Sequence, residues 1–182
     1  MSAPSASLLL RRRFGPLFTV QFLGAFNDNL LKFALLFLAN YALVGMTPMS
    51  AEMLAIVATG VFILPYFLLS AMAGQLADSM DKTRIARILK GAEVLIMGVA
   101  LAGFALGSVW TLLGCLFAMG VHSTFFGPVK YAILPQHLRK DEIMGGTGLV
   151  EAGTFVAILM GQLAGGLVAA IDAAVVACLA AA

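Results

Sequence analysis

Apolar residues in this chain gather into long stretches divided by short polar joints. The stretches cover residues 14–44, 52–76, 88–106, 109–126 and 142–170, and a sixth begins at 173 and reaches 182. About 20 apolar residues in a helix cross the roughly 30 Å hydrocarbon core of a bilayer. With no water there to satisfy backbone groups, a helix is the form such a run takes. The pattern therefore predicts an all-α fold, a polytopic transmembrane helical bundle of five full spans and a sixth that stops about halfway across. Residues 1–13 read as a short basic tail ahead of the bundle at 14–182.

The joints carry their own signals. Pro48 and Ser50 break the chain after span one. Ser50 followed by Glu52 then starts a helix, the serine as cap and the acid in the first turn. Pro65 predicts a kink in span two. Residues 74–87 read as a charged loop, Gly107-Ser108 as a turn, Gly127-Pro128 as the end of span four, 129–141 as a second polar loop and Ile171-Asp172 as a last turn. Gly103/Gly107 and Gly161/Gly165 have the small-xxx-small spacing that lets helices approach closely in lipid, and Gly120 and Gly127 lie seven apart on span four.

Composition agrees: 62% of the residues are hydrophobic and 11% charged, which excludes an ordinary soluble domain. The net charge of +2 becomes informative once its members are placed. Of the eleven lysines and arginines, all but Lys32 fall before span one, between spans two and three, or between spans four and five. The positive-inside rule makes that side, and the N-terminus, cytoplasmic. Cys115 and Cys178 sit in apolar runs without metal or redox spacing and read as small core residues. The chain shows no Ser/His/Asp order, no His-x-x-Glu-His, no Walker loop and no nucleic-acid pattern, so no enzyme, cofactor, metal or nucleic-acid partner is expected.

Span one is the exception to the apolar rule, because Gln21, Asn27, Asp28, Asn29 and Lys32 lie in its middle. At about 100° per residue, Gln21, Asp28 and Lys32 fall within roughly 40° of one another. Asp28 and Lys32 have the four-residue spacing of a helical ion pair and are expected to pair with each other or to sit in water. Such a stripe either glues helices together or lines a translocation path. His122 and Glu151 are further polar residues inside spans and candidates for the same path. Glu93 is expected to pair with Lys90 or Arg87 near the basic edge. Lys130 and Tyr131 are expected at the cytoplasmic interface, as anchors or facing a phosphate head group.

The joint Gly74-Gln75-Leu76-Ala77-Asp78-Ser79-Met80-Asp81-Lys82-Thr83-Arg84 resembles the signature loop of the major facilitator superfamily. Gly74, Leu76, Ala77 and Asp78 match in place, Lys82 matches the first basic position, and Arg84 supplies a second charge one place late. Asp81 departs from the family's glycine. The resemblance implies a cytoplasmic gate in which Gly74 permits close helix approach and Asp78 binds a neighbouring helix and pairs with Arg84 or Lys82.

Three further stretches resemble the bacterial lysophospholipid transporters of that superfamily: residues 22–32 with the Asn27-Asp28-Asn29 core and Lys32, residues 125–135 with Gly127-Pro128-Val129-Lys130-Tyr131, and residues 147–152. The resemblance implies the N-terminal six-helix half of a major facilitator fold, with the sixth helix truncated. It implies passage of lysophospholipid, chiefly lysophosphatidylethanolamine, from the outer to the inner leaflet of the bacterial inner membrane, where it is reacylated. The implied partners are membrane lipids, the missing C-terminal six-helix half, and a fused or separate acyltransferase and acyl-carrier-protein synthetase. Transport of another small solute or drug, or a membrane-anchoring role for a fused lipid-modifying enzyme, are the alternatives.

Overall fold

A computed structural model describes residues 8–41 and 48–171. The expected sixth span, with Cys178, and the turn residues at Gly45 and Asp172 lie outside them. The described residues form five helices and no strand: α1 (Gly15–Tyr41), α2 (Ala51–Ser79), α3 (Lys82–Ala105), α4 (Val109–His137) and α5 (Ile143–Ile171). The segments Glu52–Ser79, Lys82–Ala105, Val109–His137 and Ile143–Leu167 are long and apolar enough to cross a membrane. α1 has the length, but its middle carries the polar stripe. Against the six expected helices, the described residues hold five, four of them apolar spans.

Helix ends follow local chemistry. Ser50 caps α2, its hydroxyl accepting from the Met53 amide at 3.3 Å. α2 then runs unbroken through Pro65 to Ser79, and α3 begins at Lys82. The charged loop expected over 74–87 therefore shrinks to Met80-Asp81. Alanine, leucine, lysine and arginine are good helix formers, so charge here marks a helical extension rather than a loop. Asp81, the departure from the signature glycine, is the cap of α3 and accepts from the Arg84 amide at 2.7 Å. α4 passes the expected stop at Gly127-Pro128 and reaches His137. Proline is tolerated within membrane helices where neighbouring groups re-satisfy the backbone.

Between α3 and α4, Gly107 takes φ 62° and the Ser108 amide donates back to the Gly103 carbonyl at 2.9 Å. This is the left-handed closure that favours glycine, so Gly107 makes the turn. Ser108 caps α4 in turn, and the two helices leave the joint side by side.

α1 packs chiefly on α5, while α2 and α3 pack on α4. A Cβ on Gly161 would strike the Phe26 carbonyl, and one on Gly165 would lie 2.9 Å from the Leu30 oxygen, so α1 and α5 touch backbone to backbone as that glycine pair predicts. Gly120 lies likewise against the Phe62 carbonyl and Pro65 of α2, whereas space around Gly127 is open. Leu31, Leu35, Met97, Leu112, Leu116 and Met119 fill the main core. Phe67, Leu68, Val94, Leu95, Phe155 and Leu163 face outward, the apolar exterior of a lipid-embedded bundle.

The basic segment before α1 is not a free tail over residues 8–13. Leu8 and Phe14 are buried against Leu134, Leu138 and Val150, at the end of α4 and the start of α5. Arg11 and Arg13 reach Glu142 at 3.4 and 2.6 Å, and Glu142 also accepts from the Arg139 amide at 3.0 Å.

Candidate functional site

The polar stripe of α1 meets α3 and α4 inside the bundle. Asp28 Oδ2 accepts a hydrogen bond from the Ser123 hydroxyl of α4 at 2.6 Å. Its Oδ1 is buried and has no hydrogen-bond partner. Asn27 donates from Nδ2 to Glu93 Oε1 of α3 at 3.4 Å. Gln21 is 5% exposed, with Nε2 unpartnered. Asn29 bonds its own helix, donating to the Ala25 carbonyl at 2.9 Å.

The ion pair expected from spacing does not form: Asp28 and Lys32 make no salt bridge. Lys32 carries its ammonium over the rings of Phe33 and Phe62, at 5.6 and 5.2 Å from their centroids. A short carboxylate finds a hydroxyl on α4, while the long lysine stem delivers its charge to aromatic faces toward α2. Side-chain reach and the neighbouring helices outweigh the four-residue spacing.

Glu93 is the second acid of this junction. It is 7% exposed, and its Oε2 lies 2.5 Å from Lys90 Nζ and 3.6 Å from His122 Nε2. The expected Glu93–Lys90 pair thus exists, but it turns into the bundle rather than out to the interface. Lys90 also lies over the Phe126 ring at 4.5 Å, and His122 stacks on the same ring at 5.7 Å between centroids. His122 is 4% exposed, and neither ring nitrogen has a hydrogen-bond partner. Gly24 of α1 leaves the space that the lysine fills, since a Cβ there would stand 2.6 Å from Lys90 Nζ. The junction therefore gathers two carboxylates, an ammonium, an imidazole, an amide and a hydroxyl from three helices. Sequence reasoning missed Ser123 and Phe126 and placed Lys90 at an edge. The available signal was the three-residue spacing of Lys90 and Glu93, with Ser123 beside His122.

Glu151 stands apart, on α5. It accepts from the Tyr131 hydroxyl, and Lys130 Nζ lies 3.8 Å from the same oxygen and 4.8 Å from the Tyr131 centroid. These three tie α4 to α5. In the signature segment, Asp78 is exposed and makes no hydrogen bond or ion pair among the described residues. Gly74 has open space, Lys82 opens α3, and Arg84 is exposed. The expected contacts from Asp78 to Arg84 or Lys82, and the close approach at Gly74, are absent within the described residues. Asp81 is the nearer partner for the start of α3 and takes its free amide. No group of three or more His, Cys, Asp or Glu residues suited to a metal occurs among the described residues.

A charged junction closed off by lipid-facing helices is costly unless it is used, and in membrane proteins such groups mark substrate or ion pathways. The fold defines a multi-pass membrane protein, with four helices long and apolar enough to cross a membrane among the described residues. Residues 30–182 match the family described as transmembrane secretion effectors, and the chain belongs to that family, within the major facilitator superfamily. It is similar to the lysophospholipid transporter LplT of Serratia proteamaculans, 35% identical over 166 residues, which are 91% of this chain and 39% of the relative. LplT of Cronobacter sakazakii is 34% identical over 167 residues, 92% of this chain and 39% of the relative. LplT of Salmonella heidelberg is 36% identical over 160 residues, 87% of this chain and 37% of the relative. The chain thus spans about two fifths of the length of the curated relatives it matches. No solved structure matches it.

Proposed function

We propose that this chain is part of a secondary transporter that moves lysophospholipid, chiefly lysophosphatidylethanolamine, from the outer to the inner leaflet of the bacterial inner membrane for reacylation. The observation that carries the proposal is the carboxylate of Asp28, held by Ser123 on one oxygen and left open on the other, at the polar junction of α1, α3 and α4. A buried acceptor without a donor is costly, and a cargo ammonium supplies the missing donor. The names of the relatives support the cargo class.

In this reading Gln21, Asn27, Asp28, Asn29, Lys32, His122 and Glu151 belong to the path, and Lys130 with Tyr131 meets head groups at the cytoplasmic interface. Gly74, Asp78, Lys82 and Arg84 form the gate. Asp78 has no partner within the described residues, and it docks on the six-helix half that completes the superfamily fold. Two such halves rocking about a central site give alternating access. The basic residues orient the N-terminus and the α2–α3 and α4–α5 joints to the cytoplasm.

The test is uptake of labelled lysophosphatidylethanolamine by cells lacking their own lysolipid uptake and carrying the full reading frame. Accumulation and reacylation of the label are expected. Uptake no higher than in empty cells, from protein that reaches the membrane, would reject the cargo.

A further inference from the structure

We infer that Lys90 is the cation that receives the phosphate of the cargo, giving up Glu93 as it does so. The inference rests on the lysophospholipid reading and adds a residue and an exchange to it. Asp28 answers for the amine of a zwitterionic head group, and the phosphate needs a cation within reach of it. Lys32 lies on the same stripe of α1, but its ammonium is held over Phe33 and Phe62. Lys90 reaches the junction from α3 and fills the place of a side chain at Gly24. Gly24 and Asp28 are four apart on α1, so they are neighbours on one face, one helical turn apart. An ethanolamine arm of two carbons can bridge between a carboxylate at the one level and an ammonium at the other.

The exchange is feasible because each group keeps a partner. When Lys90 turns to a phosphate, it keeps the Phe126 ring that lies 4.5 Å below it. Glu93 keeps Asn27 on Oε1, and on Oε2 it faces His122 Nε2 at 3.6 Å, a ring nitrogen with no hydrogen-bond partner. The carboxylate is therefore not stranded when the lysine leaves, which is what makes breaking a buried ion pair prohibitive elsewhere. Gly24 has a use in this account: a larger residue there would push the ammonium out of the junction. Lys90 and Glu93 neutralise each other, and cargo exchanges that internal pair for an external one.

The experiment measures equilibrium binding to the protein expressed from its full reading frame, in nanodiscs. The probes share one acyl chain: lysophosphatidylethanolamine, lysophosphatidylglycerol and the uncharged monoacylglycerol. Lys90→Gln should weaken both phosphate-bearing probes by on the order of tenfold and leave monoacylglycerol unchanged, with Lys90→Arg restoring most of the loss. Glu93→Gln should act in the opposite direction and tighten both phosphate-bearing probes, because it removes the internal competitor for Lys90. A packing role for the pair would weaken all three probes in both variants, and that result overturns the inference, as does Lys90→Gln binding like wild type. Displacement of the lysolipid by equimolar inorganic phosphate would assign Lys90 to a free anion and overturn it as well. A wild-type protein that does not prefer the phosphate-bearing probes to monoacylglycerol would reject the lysophospholipid reading itself.

Discussion

Gly161→Ala should loosen the α1–α5 contact that sets the depth of the polar stripe. The new methyl group would meet the Phe26 carbonyl, with Asn29 Cβ and the Leu30 amide both at 3.1 Å. Two of these three atoms are backbone, so no rotamer change relieves them and the helices must part by several tenths of an ångström. A radial gap of half an ångström or more already forfeits about a quarter of each dispersion contact it opens. Overpacking of this kind costs about 1–3 kcal/mol. Gly165→Ala meets Leu30 and Ala34 backbone at 2.9 and 3.0 Å and should cost a similar amount. One separation relieves both sites, so the double variant should lose less than the sum. Gly60→Ala on α2 supplies the opposite sign. Nothing lies within 4 Å of a Cβ there, and a helix-interior glycine replaced by alanine gains about 0.5–1 kcal/mol. Unfolding of the purified protein in mixed micelles, followed by circular dichroism, measures all four variants. If Gly161→Ala proves as stable as Gly60→Ala, the backbone contact between α1 and α5 is not as described.

Ser123→Ala removes the hydroxyl that bonds Asp28 Oδ2 at 2.6 Å and should destabilise the protein by about 1–3 kcal/mol in the same assay, while Asp28→Asn in that background should recover part of the loss; equal stability of Ser123→Ala and wild type would contradict the bond. The clasp of Leu8–Phe14 should open in acid. The Arg139 amide, then Arg13 and Arg11, hold the Glu142 carboxyl below its ordinary 4.5, so its contribution is present above that value and is lost as pH falls below it. Cleavage at Arg11–Arg13 by a protease active in acid should rise as pH drops through that range, and Glu142→Gln should be cut at neutral pH; a pH-independent rate in wild type would refute the clasp. Single cysteines from Ser79→Cys, Gln136→Cys and Pro48→Cys, in a background without Cys115 and Cys178, test the orientation. Only the one at position 48 should react with an impermeant reagent outside intact cells, and labelling at 79 would reverse the topology.

The membrane class was legible because hydrophobic runs are a local property of the chain. The Ser50 cap was legible for the same reason, since its partner lies three residues away. The joints at 74–87 and 127–128 differ from the pattern because neither charge nor proline stops these helices. In a long membrane helix, proline is tolerated, and charged residues can extend the helix beyond the lipid. The polar stripe of α1 was visible as an exception to its surroundings, but its partners were not. Asp28 bonds a residue 95 positions along the chain, and Asn27 one 66 positions along. Such pairings depend on which helices adjoin, and periodicity carries no information on that. The expected Asp28–Lys32 pair shows the consequence, since correct spacing on one helix lost to a hydroxyl on α4 and to two rings, Phe33 of α1 itself and Phe62 of α2.

The central claim is that the junction of α1, α3 and α4 receives the cargo head group at Asp28. The most direct measurement is the initial rate of lysophosphatidylethanolamine uptake by Asp28→Asn in the full reading frame, with membrane abundance and micelle stability determined on the same protein. The side chain keeps its shape and can still accept from Ser123, so fold and abundance should be retained while uptake falls to background. Uptake at the wild-type rate would show that the carboxylate serves only to hold helices together, and the account would be wrong.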